Sequence, residues 1–356
     1  MNVQMKLASQ LKAKPEDESK LGFGHLFTDH MLLINYTEGQ GWHDARVEPY
    51  GNLSLDPACQ VLHYGQEIFE GMKCYRTPKG DFNLFRPRSN FERFARSAER
   101  MGMAPLPVED GLDSLMALLK VEKEWTPHVE GASLYIRPTM IATDAYLGVS
   151  ASKTYLYYVL LSPSGAYYAS GLAPVGIYVE DSYVRAVRGG IGFAKTGGNY
   201  AASILAGVKA KHSGYAQVLW LDGVHQRYIE EVGAMNMMFV YEDKKIVTPV
   251  LNGSILPGIT RDSVLQLAKK LGYETEETRM DIGDVAADIK SGKITEAFGT
   301  GTAAVVSPVN KLCYKNEEIG IGDGGIGRMT MELYTTLTDI QYGRREDPMG
   351  WIVKVK

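Results

Sequence analysis

Apolar positions along the chain recur at two periods, and the period marks each element. Met31-Leu32-Leu33-Ile34-Asn35-Tyr36 is an apolar run closed by Thr37-Glu38-Gly39-Gln40-Gly41, which predicts a strand and a turn. Short segments around Arg46 to Pro49 and Asn52 to Leu55 follow. Val61, Leu62, Ile68 and Phe69 then predict a helix over residues 59–72, ending at Gly71. Met72-Lys73-Cys74-Tyr75-Arg76, a turn over 77–80 and Asp81-Phe82-Asn83-Leu84-Phe85 predict a β-hairpin, stopped by Arg86-Pro87. Phe91, Phe94, Ala95, Ala98 and Met101 keep helical spacing over 89–101, with Ser89 or Asn90 as the cap. A second helix is predicted over 111–125, and strands over 132–142 and 154–161.

The segment 166–174 is rich in Gly, Ser, Ala and Tyr and reads as a junction. Beyond it the pattern predicts strands over 175–180, 216–221 and 235–241, and a helix over 199–212 with apolar Ile204, Leu205 and Val208. Helices over 260–271, 284–291 and 330–341 and strands over 295–299 and 303–306 complete the chain. The class is mixed α and β (α+β), because the strand runs are too irregularly spaced for a simple doubly wound sheet. The division expected is a smaller N-terminal domain, 1–165, an interdomain loop, 166–175, and a larger C-terminal domain, 176–356.

The 356 residues suffice for two cores, and 45% apolar with 22% charged is an ordinary globular balance. A net charge of -4, with no Lys/Arg block interleaved with aromatics, argues against a nucleic-acid partner. Cys59, Cys74 and Cys313 are far apart, fit neither a disulfide framework nor a metal site, and point to a reducing compartment. The first twenty residues have no apolar stretch of signal length and carry Glu16-Asp17-Glu18, and no run is long enough to span a membrane. A cytoplasmic protein without metal is expected.

The candidate chemistry centres on Lys195, in Gly189-Gly190-Ile191-Gly192-Phe193-Ala194-Lys195-Thr196-Gly197-Gly198-Asn199-Tyr200. A lysine between glycine turns is a solvated loop residue or, with the right neighbours, a nucleophilic amine suited to Schiff-base chemistry. Glu230 and Glu231 pass from a loop into an apolar strand. Glu231 is either an exposed hairpin acid or a buried carboxylate that pairs with a protonated pyridine nitrogen. Leu256-Pro257-Gly258-Ile259-Thr260 opens a helix whose first N–H groups suit a phosphate, and Phe298-Gly299-Thr300-Gly301-Thr302-Ala303 allows close backbone approach. Arg93 is a surface charge or a phosphate ligand. Arg137, alone in an apolar strand, is paired internally or faces a ligand. No nucleotide-hydrolysis or dinucleotide fingerprint is present.

Together these segments resemble the branched-chain amino acid aminotransferases, which belong to the fold-type IV class that uses pyridoxal 5'-phosphate (PLP) and has a two-domain, D-amino acid aminotransferase-like architecture. The motifs in order are Phe27-Thr-Asp-His-Met31, Leu62-His-Tyr64, Phe69-Glu-Gly-Met-Lys73, Phe85-Arg-Pro87 and Leu134-Tyr-Ile-Arg-Pro138. Lys195-Thr-Gly-Gly-Asn-Tyr200, Gln217-Val-Leu-Trp-Leu221, Glu231-Val-Gly-Ala-Met-Asn236, Leu256-Pro-Gly258 and Phe298-Gly-Thr-Gly-Thr-Ala303 continue it across nearly the whole chain.

The resemblance implies reversible transamination of leucine, isoleucine and valine with 2-oxoglutarate, in a homodimer. It implies that Lys195 carries PLP covalently and moves the proton during turnover, that Glu231 holds the ring-nitrogen proton and that Tyr200 bonds the ring hydroxyl. Arg93, the N–H groups of Ile259 and Thr260, and Thr302 would hold the phosphate. Thr302, Ala303 and the partner subunit's Tyr64 would meet the substrate carboxylate. Phe23, Phe69, Tyr135, Tyr167 and the partner subunit's Leu147 would line the side-chain pocket, where Arg137 admits the distal carboxylate of glutamate. Mammalian members carry a Cys-x-x-Cys after the phosphate turn; Ala304 and Ser307 stand there, so no thiol switch is expected at this site. A D-amino acid aminotransferase or aminodeoxychorismate lyase would share the lysine and glutamate, but not Phe69 to Lys73 or the long N-terminal segment. The remaining alternative is a PLP- or metabolite-binding protein without turnover.

Overall fold

A computed structural model describes residues 1–165 and 172–355. In chain order its elements begin with β1 (Gln4–Met5), β2 (His30–Thr37), β3 (Gly41–Pro49), α1 (Gln60–Tyr64), β4 (Glu67–Phe69), β5 (Met72–Arg76) and β6 (Phe82–Phe85). Next come α2 (Pro87–Arg100), α3 (Val108–Glu122), β7 (Ser133–Ala142), β8 (Thr154–Ser164), β9 (Val175–Glu180), α4 (Gly197–Ala201), α5 (Ile204–His212) and β10 (Gln217–Leu221). The chain continues with β11 (Ile229–Val232), β12 (Met235–Tyr241), β13 (Lys245–Pro249), α6 (Ile259–Lys270), β14 (Glu274–Thr278) and α7 (Ile282–Lys290). It closes with β15 (Ile294–Gly301), β16 (Val305–Tyr314), β17 (Glu317–Gly320), α8 (Arg328–Gln341) and β18 (Ile352–Val355). This is the mixed α and β class that the pattern predicts.

Two compact units result. One comprises Met1–Tyr167, Ala194–Gly197 and Asp339–Lys356; the other comprises Tyr168–Phe193 and Gly198–Thr338. The first holds a nine-stranded sheet in the order β1-β3-β2-β8-β7-β5-β6-β18, with β4 also paired to β7. Its core buries Leu32, Ile34, Leu134, Ile136, Val159 and Leu161 against Phe91 and Phe94 of α2 and Leu115 and Leu118 of α3. Phe91 and Phe94 are fully buried, and each such ring contributes about 1.5–3 kcal/mol. The second holds a nine-stranded sheet in the order β11-β10-β9-β16-β15-β12-β13-β14, with β17 on β16 and an added β11–β12 pairing. Its core is built from Ile177, Leu219, Phe239, Val309 and Leu312.

Several elements differ from the pattern's prediction. The helix expected over 59–72 is only α1, because Gly65 adopts φ 58° and its N–H closes on the Val61 carbonyl, the left-handed cap that ends a helix. Glu67, Ile68 and Phe69 then extend as β4, with Phe69 opposite Thr139 of β7. Helix α2 starts at Pro87 rather than 89, since the ring presets the first helical turn, and Asn90 lies inside the helix instead of capping it. The helix expected over 199–212 is broken into α4 and α5 at Ala202 and Ser203, where the Ser203 hydroxyl bonds the Tyr200 carbonyl. The buried side of α5 is Ala206 and Ala210, while Ile204 is 64% and Leu205 53% exposed. Among the described residues no helix is long and apolar enough to cross a membrane.

Candidate active site

The lysine segment is fixed through its backbone. The Lys195 carbonyl accepts the Phe69 N–H at 3.0 Å, and the Lys195 N–H donates to Ser97 Oγ of α2 at 2.9 Å. Thr196, fully buried, donates its hydroxyl to the Glu67 carbonyl at 2.6 Å. The side chain is half-buried, with Nζ 4.9 Å from the centre of the Phe69 ring. The same ring carries the Arg137 guanidinium at 4.7 Å, and Arg137 Nη2 donates to Tyr135 Oη at 3.0 Å.

Residues 135 and 137 share one face of β7 because strand side chains alternate. Phe23 packs edge-on against Tyr135 at 4.8 Å. Gly71 permits this arrangement, since a Cβ there would lie 2.2 Å from Tyr135 Oη. Five predicted residues of the first unit, Phe23, Phe69, Tyr135, Arg137 and Lys195, therefore stand together. Arg137 Nε is buried with no hydrogen-bond partner among the described residues, which suits a ligand better than an internal pair.

Arg93 is not a solvated surface charge. It is 4% exposed and forms a two-point ion pair with Glu70, Nε to Oε1 at 2.7 Å and Nη2 to Oε2 at 2.9 Å. Tyr64 and Leu147 are both exposed, and the Tyr64 hydroxyl donates to the Leu147 carbonyl. Tyr167 lies outside the described residues.

Lys73, on β5 opposite Tyr135, is buried, and burial pushes its ammonium down from 10.5 to about 8. The folded value is below the unfolded one, so between about pH 8 and 10.5 the unfolded chain keeps a proton that the folded protein has released. Stability therefore rises with pH across that window, and below it the folded protein carries the full cost of the buried charge. Lys73→Met is expected to stabilise the protein near pH 7 by on the order of 1–3 kcal/mol, with the gain shrinking toward about pH 10. Urea melts of both proteins at the two pH values measure this, and an equal gain at both would contradict it.

In the second unit Glu231 is buried on β11, as is Glu230, so neither is an exposed hairpin acid. Adjacent strand residues face opposite ways. Glu230 accepts from Asn252 Nδ2 at 3.0 Å and from Ser254 Oγ. Glu231 Oε1 accepts the Leu256 N–H at 2.5 Å and lies 3.2 Å from Arg185 Nη2. Arg185 is itself buried and donates to the carbonyls of Gly192 and Ser254.

Glu231 is opposite Asn236 of β12, and Asn236 is opposite Thr300 of β15, which aligns three buried polar side chains on one sheet face. Asn236 Nδ2 ties this row to the Leu256 carbonyl at 3.0 Å, just ahead of Gly258, the N-cap of α6. Ile259 and Thr260 are the first residues of α6, where N–H groups have no partner within the helix. Thr302 and Ala303 form the turn between β15 and β16, and Tyr200 is half-buried on α4.

The Amino-transferase class IV family matches residues 67–312. The chain belongs to the class IV aminotransferase family. It is 53% identical over 354 residues to a probable branched-chain-amino-acid aminotransferase of Staphylococcus aureus, covering 99% of this chain and 98% of the relative. It is 52% identical over 345 residues to branched-chain-amino-acid transaminase 1 of Bacillus subtilis, covering 97% and 96%. Its fold matches a T.th. branched-chain amino acid aminotransferase with pyridoxamine 5'-phosphate at a TM-score of 0.77 and 28% identity, over 95% of this chain and 99% of that one. The Escherichia coli branched-chain amino acid aminotransferase aligns at a TM-score of 0.76 and 28% identity, over 91% and 99%.

Each unit, taken by itself, offers groups of the kind that PLP chemistry uses. The first unit offers an amine whose backbone is pinned on both sides and a fixed guanidinium. The second offers a buried carboxylate beside a helix N-terminus, and the Thr300 hydroxyl, which is buried without a partner among the described residues. A site that binds nothing polar would leave that hydroxyl at a desolvation cost. Sequence reasoning did not single out Ser97, Glu70, Arg185, Asn236 or Thr300 as site groups. Thr300 and Asn236 lay inside motifs already noted and could have been found by strand alternation; no local signal marked Ser97 or Arg185.

Proposed function

We propose that this chain catalyses reversible transfer of the amino group between L-leucine, L-isoleucine or L-valine and 2-oxoglutarate. The products are branched-chain 2-oxo acids and L-glutamate, formed by a ping-pong mechanism in a cytoplasmic homodimer. One observation carries the reading: Lys195 and Arg137 both stand against an aromatic wall formed by Phe69 and Tyr135. The wall suits an aliphatic side chain, and the single guanidinium suits the distal carboxylate of glutamate.

PLP, when bound, supplies the electron sink that lets the substrate Cα–H bond break. Lys195 Nζ would take that proton and return it to the cofactor, and Glu231 would hold a proton at the pyridine nitrogen. Tyr200 would bond the ring hydroxyl, while Arg93, the N–H groups of Ile259 and Thr260, and Thr302 would hold the phosphate. Thr302, Ala303 and the partner subunit's Tyr64 orient the substrate carboxylate. Phe23, Phe69, Tyr135, Tyr167 and the partner subunit's Leu147 exclude water from the side chain. Exposed Leu62, Tyr64, Tyr146 and Leu147 support the homodimer, because an apolar surface of this kind is what a second copy would cover. The division we propose is an N-terminal domain over 1–165, an interdomain loop over 166–175 and a C-terminal domain over 176–356; the compact units differ from it in grouping Ala194–Gly197 and Asp339–Lys356 with the first unit.

The test is the visible absorption spectrum of the purified protein before and after L-leucine and then D-alanine, with steady-state turnover of leucine and 2-oxoglutarate. A cofactor band that shifts with L-leucine and ignores D-alanine is expected. A band indifferent to leucine, or a response to D-alanine alone, overturns the reading.

A further inference from the structure

Glu70 is fully buried in the two-residue link between β4 and β5. Its own N–H donates to the Pro138 carbonyl at 2.8 Å, which fixes where the carboxylate starts. Four donors converge on that carboxylate: Arg93 Nε at 2.7 Å, Arg93 Nη2 at 2.9 Å, Asn90 Nδ2 at 2.8 Å and the Gly71 N–H at 3.1 Å. Burial pushes the Glu70 carboxyl up, but the charge and hydrogen bonds of Arg93, the charge of Lys195 and the Asn90 hydrogen bond together hold it below the ordinary carboxylate range. It is an anion in the folded protein.

Asn90, Arg93 and Ser97 are spaced three and four apart on α2 and therefore share one face. All three are buried, and Ser97 Oγ holds the Lys195 N–H. The face that carries the Glu70 contacts also carries the anchor of the lysine.

A buried ion pair adds little net stability over well-packed apolar groups. What a two-point carboxylate–guanidinium pair supplies is orientation of a plane that would otherwise turn about four side-chain torsions. We propose that Glu70 is a positioning residue: it holds the Arg93 guanidinium in one orientation toward the phosphate of the cofactor, and so sets the affinity for the phosphorylated cofactor. This rests on the reading of Arg93 as a phosphate ligand. Glutamine at 70 would keep the shape, but its NH₂ would face one of the four donors and leave the guanidinium without its counter-charge.

The test separates phosphate recognition from folding. Full-length protein resolved from its cofactor is titrated with PLP and with pyridoxal, which lacks the phosphate, following absorbance and tryptophan fluorescence. Glu70→Gln is expected to weaken PLP binding about 10- to 100-fold, the range for losing charged hydrogen bonds, and to leave pyridoxal within about threefold of wild type. Glu70→Asp, which keeps the charge but withdraws the carboxylate, is expected to show the same selectivity with a smaller loss, and it decides the matter if the glutamine variant does not fold. Equal weakening of both ligands, or PLP binding within about threefold of wild type, overturns the proposal. Arg93→Ala is titrated beside them. If it loses PLP selectively while both Glu70 variants do not, the role of Glu70 alone fails; if it loses no selectivity, the reading of Arg93 fails with it.

Discussion

Lys195→Ala is expected to lower kcat for leucine by at least about 10³-fold while leaving the melting temperature nearly unchanged. The two halves of this expectation have separate structural origins. The contacts that seat the segment belong to its backbone and to Thr196: the Lys195 N–H on Ser97 Oγ, the Lys195 carbonyl on the Phe69 N–H, and the Thr196 hydroxyl on the Glu67 carbonyl. Alanine retains all of them. What it removes is the amine beside the Phe69 ring. Borohydride reduction followed by peptide mapping should place the pyridoxyl group on Lys195 in the wild type. The competitor to watch is Lys73, a buried lysine opposite Tyr135, whose ammonium is pushed down to about 8. Label on Lys73, or leucine turnover within tenfold of wild type, as estimated on the scale of proton-transfer catalysis, would refute the assignment.

The periodic elements were legible where one period ran unopposed. The hairpin of β5 and β6, the strand β9 and the strand β12 stand where alternation placed them, since their apolar faces are long enough to override local preference. The stretch 59–72 was not legible. Val61, Leu62, Ile68 and Phe69 are compatible with a helix, and only the left-handed conformation of Gly65 and pairing with β7, far away in sequence, decide for a strand.

That one difference matters for the site, because β4 is the strand on which Lys195 docks. The aromatic group around Arg137 could be named residue by residue from the resemblance, yet its arrangement on the Phe69 ring depends on that strand. Likewise the helix over 199–212 was marked by apolar Ile204, Leu205 and Val208, but Ala206 and Ala210 take the buried side of α5. Glu70, between Phe69 and Gly71, carried no periodic signal at all. Its role follows only from four donors that meet in space.

Glu231→Gln is expected to reduce kcat by about 10- to 10³-fold with little change in the KM for leucine, as follows from an opposite charge shifting a neighbouring pKa by about 1–3 units. The substitution is nearly isosteric. Its amide oxygen can still accept the Leu256 N–H and Arg185, so the turn ahead of α6 should keep its shape. The charge is what disappears. A neutral amide cannot hold a proton on the pyridine nitrogen, and an unprotonated ring accepts carbanion density less readily. Glu231→Asp should lie between the two, because the charge survives while the carboxylate retreats from Arg185. The sheet row of Glu231, Asn236 and Thr300 gives a control of the opposite kind: Thr300→Val removes a buried hydroxyl without touching the charge, and should leave the pH dependence of the cofactor band as in the wild type. A glutamine variant whose kcat and cofactor titration both match wild type would mean that Glu231 serves the turn and not the ring, since the hydrogen bonds it makes to Leu256 and Arg185 are the part of its role that glutamine preserves.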